Sequence, residues 1–127
     1  MSKTIIAASN APAALGPYNH AIEANGFVFT SGQLGVDPAT GALADSAEDQ
    51  ARLAFKNIVN ILEAAGCTLK DVVKCTVFLT DLNDFAAVNA IYAEAFGSDF
   101  PARSCFEVSK LPAGAKVEIE SIAAKPQ

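Results

Sequence analysis

Residues 71–80, DVVKCTVFLT, are β-branched or apolar at both alternations of an extended chain. This pattern is typical of a strand buried on both faces. Toward the C-terminus, residues 103–109 (RSCFEVS) and 116–123 (KVEIESIA) alternate in polarity instead, and a turn containing Pro112 and Gly114 separates them. The sequence therefore predicts three strands in its second half.

A helix is predicted between the N-terminal hairpin and residues 71–80. Ser46 can cap its first turn while Asp49 reaches back as a capping-box acid, and Gly66 is placed to end it. Its apolar positions recur every three or four residues and define one face. These positions are Ala51, Phe55, Ile58, Leu62 and Ala65.

A second helix is predicted after residue 80, with Asp81 or Asn83 as its cap and Gly97 as its stop. Its apolar stripe has the same three-to-four-residue spacing. The stripe consists of Phe85, Val88, Tyr92 and Phe96.

The first thirty residues contain a hairpin signal. Asn25-Gly26 lies between two strand-like segments, residues 18–24 and 26–31, and the glycine-rich segment 32–41 after them is predicted to be a loop. The resulting order is β-β-α-β-α-β-β. An α+β fold, with two helices on one face of a single mixed sheet, is the natural arrangement of these elements.

The two C-terminal strands predict where charge lies on the sheet. Phe106 alternates with Arg103 and Cys105, as Val117 and Ile119 alternate with glutamates. We therefore expect one apolar face and one face that carries charges of both signs. A polar face turned toward a neighbouring subunit would form a charged cleft.

Composition bounds the class of protein. The 127 residues are enough for one domain, 1–127, and 51% of them are hydrophobic against 18% charged. No apolar run approaches the roughly 20 residues that span a bilayer, so no membrane partner is expected. The apolar excess instead indicates a homo-oligomer with buried interfaces.

Charge, histidine and cysteine counts exclude further classes. A net charge of -5 disfavours nucleic acid as a main partner. The first ten residues do not resemble a signal peptide, and three cysteines without a C-x-x-C pair are expected to be reduced thiols, so a cytoplasmic location is expected. With one histidine, the chain has no recognisable zinc ligand set, and we expect neither metal nor cofactor.

Arg103 and the glutamates of residues 116–123 are the candidate chemical groups. Arg103 is either a solvated strand end or a fork that holds a planar carboxylate. Glu118 and Glu120 share a strand face, where one could pass protons to and from a water molecule and at least one could be a solvated edge. Cys105 lies on the face of Arg103 and is expected to be structural rather than nucleophilic.

Three further polar residues have weaker signals. His20, the only histidine, is expected to have a packing or surface role rather than a catalytic one. Tyr18 could pack or present its hydroxyl to a ligand, and Asn89 could line a site or bond a loop. Segment 32–41 lacks the spacing and the lysine of a phosphate-binding loop. From the residues alone, the prediction is a small-carboxylate site with an acid/base glutamate.

Six segments together resemble the reactive-intermediate deaminases, the Rid or YjgF family. The similarity extends through nearly the whole chain, and its last two segments are the most specific. Arg103 and Glu118 match the pattern of the catalytically active subgroup. The segments are 14–18 (ALGPY), 29–33 (FTSGQ), 64–66 (AAG), 77–85 (VFLTDLNDF), 101–105 (PARSC) and 117–120 (VEIE).

The resemblance implies a chorismate-mutase-like subunit, a homotrimer and clefts between subunits. It implies hydrolysis of enamine and imine carboxylates, such as 2-aminoacrylate, 2-iminopropanoate and 2-iminobutanoate, to 2-oxo acids and ammonia, which protects pyridoxal-phosphate enzymes. Arg103 would bind the substrate carboxylate, Glu118 would activate water, and the Cys105 backbone would orient substrate or water. Tyr18, Ser31, Gly32 and Asn89 match cleft-lining positions, whereas His20 stands where the family pattern has glutamine.

Two other functions are compatible with these residues. A trimeric regulator that binds 2-oxo acids would need Arg103 but not Glu118. A chaperone-like or ribonuclease-like interaction protein would need exposed apolar surface or a basic patch, and the acidic charge argues against the second.

Overall fold

The computed structural model describes residues 2–127, so Met1, the first residue of the predicted domain, lies outside the described residues. Within them, seven strands and two α-helices follow one another along the chain. Their bounds are β1 Thr4–Ile6, β2 Ala21–Ala24, β3 Phe27–Thr30, β4 Gln33–Leu34, α1 Ala47–Ala64, β5 Val72–Leu79, α2 Phe85–Phe96, β6 Ala102–Glu107 and β7 Val117–Ala124.

All seven strands belong to one sheet in the order β1-β2-β3-β7-β5-β6, and β4 pairs with β7 beside β3. The β5–β6 pair is parallel because α2 carries the chain back across the sheet, and the other pairs are antiparallel. Both helices cover one face, so the predicted α+β arrangement with a mixed sheet is confirmed. The two ends of the sheet order, β1 and β6, are edge strands.

The predicted hairpin at residues 25 and 26 is confirmed. Asn25 and Gly26 both have positive φ, 53° and 81°, as the tight turn between β2 and β3 requires. Glycine adopts this backbone without a steric penalty, and asparagine tolerates it better than most residues.

Helix α1 begins and ends as predicted, but one detail of its cap is wrong. The Ser46 hydroxyl accepts a hydrogen bond from the Asp49 amide at 3.0 Å, and Gly66 ends the helix with φ 81°. The Asp49 carboxylate does not close a capping box, because it pairs with Arg52 one turn later at 3.0 Å. All five predicted apolar positions of the helix face are buried, and the burial of each large aliphatic side chain there contributes about 1.5–3 kcal/mol.

Helix α2 follows a short turn that Asp81 caps, and Gly97 ends it with φ 75°. Val88 and Tyr92 are buried, whereas Phe85 is 38% exposed at the start of the helix. Neither helix within residues 2–127 is long and apolar enough to cross a membrane.

Strand β5 is confirmed, but its predicted burial on both faces is wrong. Cys75, Val77 and Leu79 are buried under the helices, while Thr76 and Phe78 are only half-buried on the other face. Since both helices lie on one side, the second face of the sheet stays open within the single chain. We call this second face the open face.

Segment 32–41 is not only a loop, because it contains β4. This two-residue strand pairs Leu34 with Glu118 and Gln33 with Ile119. Gly35 follows at a point where the chain passes against α1, and a methyl group there would lie 2.7 Å from Cβ of Gln50 and overlap the helix backbone. The glycines of segment 32–41 therefore serve the close approach of the chain to α1 as well as its turns.

Candidate functional site

Arg103 lies on the edge strand β6 and points toward the helix layer. Its strand neighbour is Cys75 on β5, whose side chain is buried under the helices. Its Nη1 donates a hydrogen bond to Oδ1 of Asn89, on α2, at 2.6 Å. The predicted cleft-lining residue Asn89 therefore holds the guanidinium rather than bonding a loop.

Two aromatic rings of α2 also contact the guanidinium. Its Cζ lies 4.7 Å from the ring centroid of Tyr92 and 5.5 Å from that of Phe85, which are cation–π distances. Phe85, Asn89 and Tyr92 lie at helical spacings of four and three residues and so share one side of α2.

Arg103 has no carboxylate partner within residues 2–127. The two ion pairs found there are Arg52–Asp49 and Lys125–Glu23, both on the surface. A half-buried guanidinium with a single protein acceptor retains several N–H donors, which suit a planar carboxylate from outside the chain.

Cys105 lies two residues after Arg103 on the same face of β6, as predicted, and is half-buried. Burial raises the pKa of the Cys105 thiol, and the positive charge of Arg103 opposes this effect only in part. The thiol therefore stays protonated near neutral pH, where a thiol is a poor nucleophile.

Glu118 lies on β7 and projects from the open face, opposite Phe78 of β5. Burial raises the pKa of the Glu118 carboxyl, and the negative charge of Glu120 raises it further. Gly32 lies directly over the Glu118 carboxylate, because a methyl group on Gly32 would overlap Oε2 and lie 2.8 Å from Cδ. A carboxyl whose pKa is raised above its ordinary value takes up and returns protons more readily than an ordinary carboxyl does.

Two buried amides of α1 fix the backbone on either side of Glu118. Oε1 of Gln50 accepts from the Lys116 amide at 2.7 Å, and Nδ2 of Asn57 donates to the carbonyls of Leu34 and Val36 at 3.2 and 2.9 Å. Because β4 pairs with β7 at Glu118, these bonds hold both strands that position the carboxylate.

Tyr18 and Ser31 lie near Gly32, in the chain segments before and after the β2–β3 hairpin. Tyr18 is 46% exposed, and its hydroxyl accepts a hydrogen bond from the Leu15 amide at 3.1 Å. The Ser31 hydroxyl donates to the Asn19 carbonyl at 2.6 Å. A largely apolar cavity of about 330 Å³ opens beside this group, and Tyr18, Gly32, Leu15, Val36 and Ala113 are among its lining residues.

His20 has a structural role in the segment before this group. Its Nδ1 accepts from the Ala8 amide at 3.0 Å and its Nε2 lies 2.7 Å from the Pro12 carbonyl. Because an amide can only donate and a carbonyl can only accept, the ring is neutral with its proton on Nε2. A glutamine amide could make the same two bonds.

The predicted site residues thus form two groups on opposite faces of the sheet. Arg103 and Cys105 share the helix-covered face of β6, whereas Glu118 lies on the open face with Phe106. The expectation of one apolar face and one face with charges of both signs is confirmed for β7, where Val117 and Ile119 are buried and Glu118 lies on the open face, but it is wrong for β6. Strand pairing places Phe106 opposite Phe78, so that the apolar side chain of β6 is exposed and its arginine is inward.

A family model described as Endoribonuclease L-PSP matches residues 8–125. The chain belongs to this family. Among L-PSP relatives, the chain is 54% identical over 129 residues to the 2-iminobutanoate/2-iminopropanoate deaminase of Salmonella typhimurium, covering 98% of this chain and 99% of that protein. It is 49% identical over 122 residues to the protein of the same name from Capra hircus, covering 95% of this chain and 89% of that one. The resemblance to the reactive-intermediate deaminases is confirmed.

Solved L-PSP family structures have the same fold. The chain is 46% identical to the YjgF gene product of E. coli, with a TM-score of 0.92 and coverage of 97% of this chain and 99% of that one. The E. coli TdcF structure with bound serine has the same TM-score and coverage at 44% identity.

Sequence reasoning missed two residues of the Arg103 group in this L-PSP family chain. Tyr92 and Phe85 were predicted only as members of the apolar stripe of α2, yet both rings contact the guanidinium. Their helical spacing around Asn89 was the available signal, because it places a polar residue between two aromatic ones on one side of a helix.

Proposed function

We propose that this chain is a cytoplasmic enzyme that hydrolyses 2-imino acids and their enamine tautomers to 2-oxo acids and ammonia. The substrates would be small, such as 2-iminopropanoate and 2-iminobutanoate. The observation that carries the proposal is the half-buried guanidinium of Arg103, which has an amide acceptor, aromatic neighbours and no carboxylate partner within residues 2–127. The names of the curated relatives support the same reaction.

In this reaction Arg103 binds the substrate carboxylate through two parallel N–H···O bonds and fixes its orientation. Glu118 accepts a proton as water adds to the C=N carbon, forming a carbinolamine. Glu118 returns this proton to the nitrogen, which completes the carbinolamine. It then takes the hydroxyl proton and passes it to the nitrogen as the C–N bond breaks, so that the carbonyl forms and ammonia leaves. No covalent enzyme intermediate is needed, which agrees with the protonated state of Cys105.

A complete site requires a second copy of the chain, because Arg103 and Glu118 project from opposite faces. The open face that carries Glu118 also exposes large apolar side chains, among them Phe29 and Phe106 at 43% and 53%. Exposed apolar surface of this kind favours an interface between copies. We propose a homotrimer, the assembly that the family resemblance implies, in which Arg103 of one subunit approaches Glu118 of the next.

A coupled assay tests the proposal. A threonine dehydratase generates the enamine in situ, and the rate of 2-oxobutanoate formation is measured with wild type, with Arg103→Ala and with Arg52→Ala. Two hydrogen bonds to a charged group contribute about 3–6 kcal/mol together, so Arg103→Ala should lose roughly 10²–10⁴-fold in kcat/KM. Arg52, an exposed arginine paired with Asp49, is the matched control and should behave as wild type.

The regulator alternative gives a different result. A protein that only binds carboxylates would not accelerate 2-oxobutanoate formation in either form, while binding would still depend on Arg103. The Glu118→Gln variant separates the two further, since it should lower kcat about 10²–10⁴-fold and leave carboxylate binding largely intact. The ribonuclease activity named in the family description finds little support in a chain of net charge -5.

A further inference from the structure

Tyr92 is a buried aromatic residue that packs against Arg103. The proposed reaction gives Tyr92 no role. It is only 5% exposed, and its ring centroid lies 4.7 Å from Cζ of Arg103, closer than that of Phe85. The ring therefore covers the guanidinium from the helix layer, while Asn89 holds one of its N–H groups.

The ring of Tyr92 is itself held in place by other aromatic residues. It packs edge-on against Phe55, with 5.7 Å between ring centroids, and at a tilt against Phe96, with 4.8 Å between centroids. A ring packed on several sides has little freedom, whereas an arginine side chain has many rotamers and loses entropy when a ligand orders it. A fixed surface beneath the guanidinium reduces that loss before any ligand binds.

The hydroxyl group of Tyr92 does not explain the contact. Within residues 2–127 it is buried without a hydrogen-bond partner, and its neighbours include the thiol of Cys75, which is 1% exposed. The ring face, rather than the hydroxyl, is thus the part of Tyr92 that acts on Arg103.

We propose that Tyr92 is a positioning residue whose ring holds the Arg103 guanidinium, with Asn89, in the orientation that receives the substrate carboxylate. This inference rests on the proposed function. Tyr92 acts through Arg103 and does not touch the substrate. The interaction between Arg103 and the substrate carboxylate is equally strong in the bound substrate and in the transition state. Weakening this interaction therefore raises KM and leaves kcat nearly unchanged.

Three variants test the role of the ring. Tyr92→Leu removes the ring, Tyr92→Phe keeps it without the unpaired hydroxyl, and Phe96→Leu removes a neighbouring ring that packs on Tyr92. The readouts are the Kd for 2-oxobutanoate by titration calorimetry, kcat and KM in the coupled assay, and the unfolding free energy in urea.

Tyr92→Leu should raise both Kd and KM roughly 5- to 30-fold, the range expected for a desolvated cation–π contact, with kcat within about twofold. Tyr92→Phe should restore the wild-type Kd. Phe96→Leu should lower the unfolding free energy and raise Kd less than Tyr92→Leu does, because the Tyr92 ring remains and Phe55 still packs against it. The comparison separates a packing defect from the loss of the ring itself.

A wild-type Kd in Tyr92→Leu, or an equal rise of Kd in Phe96→Leu, would overturn the inference. If Tyr92→Leu does not fold, Tyr92→Met replaces it, because methionine fills more of the buried volume without an aromatic ring. In that variant a raised Kd supports the inference and a wild-type Kd overturns it. A wild-type protein without deaminase activity would instead contradict the proposed function.

Discussion

Gly32→Ala should displace the Glu118 carboxylate without substituting Glu118 itself. A methyl group on Gly32 would overlap Oε2 of the Glu118 carboxylate and lie 2.8 Å from Cδ and 3.0 Å from Cγ. The backbone at Gly32 is outside the left-handed region, so alanine fits its conformation. Because the atoms that it meets belong to the end of a flexible side chain, Glu118 rotates away and the strands stay in place.

The expected size of the effect follows from the proposed role of Glu118 as the acid/base group. A positioned acid/base group contributes about 10²–10⁴-fold to a rate, and a displaced carboxylate loses most of that contribution. We expect kcat to fall roughly 10²-fold or more, with a change of about 1 kcal/mol or less in the unfolding free energy.

Gly35→Ala is the matched comparison. The added methyl group would there overlap the backbone of α1 at Gln50, which cannot move aside as a side chain can. This variant should lose roughly 2 kcal/mol or more of stability, in the range of overpacked cores. Gly32→Ala should therefore lose activity and keep its stability, whereas Gly35→Ala should lose stability.

The assay is 2-oxobutanoate formation by Gly32→Ala, Glu118→Gln and the double variant, with urea unfolding of each. If displacement of Glu118 is the whole effect, the double variant should be no slower than Glu118→Gln. Activity of Gly32→Ala within about threefold of wild type would refute this reasoning. So would a full additional loss in the double variant, which would mean that the methyl group blocks the substrate directly.

Substitutions at three residues test separate features. The pKa of the Glu118 carboxyl is higher in the folded chain than in the unfolded chain, so the ionised carboxylate destabilises the fold. The free energy of unfolding keeps its full Glu118 contribution below about pH 4, where the carboxyl is protonated in both states, and loses that contribution as pH rises. Glu118→Gln should thus be more stable than wild type in urea at pH 7, at equal chain concentration, with a smaller gain at pH 4; an equal gain at both would contradict the shift. Cys105→Ser should keep its deaminase rate within a few-fold, because burial keeps the thiol protonated, and an inactive but folded variant would require a covalent role. His20→Gln should retain wild-type stability through equivalent bonds to Ala8 and Pro12, whereas His20→Leu should lose roughly 1–3 kcal/mol; equal losses would show that these bonds are unimportant.

Local patterns predicted the elements well, because hydrophobic periodicity and capping are encoded within a few residues. The Asn25-Gly26 turn, the Ser46 cap and the glycine stops all lie where the sequence places them. The short strands β1 and β4 went unpredicted, since two or three residues carry no periodicity and form a strand only by pairing with β2 and β7.

The candidate residues were also accessible from sequence, either as chemistry-bearing side chains or through the resemblance. In a chain with only 18% charged residues, reactive side chains within strands of alternating polarity are easily noticed. These side chains are the guanidinium of Arg103, the carboxyl of Glu118 and the thiol of Cys105. What each residue contacts was not accessible. Asn89 and Tyr92 are neighbours of Arg103 because α2 crosses over β6, which no local pattern states.

The tertiary structure alone decided which face of the sheet each group occupies. Alternation within a strand places successive side chains on opposite faces of the sheet. Which residues of two different strands share a face depends on the register of their pairing. Pairing of Cys75 with Arg103 and of Phe78 with Glu118 puts the two charged groups on opposite sides. The sequence by itself determined the elements and the chemical groups. Long-range strand pairing determined that Arg103 and Glu118 lie on opposite faces of the sheet.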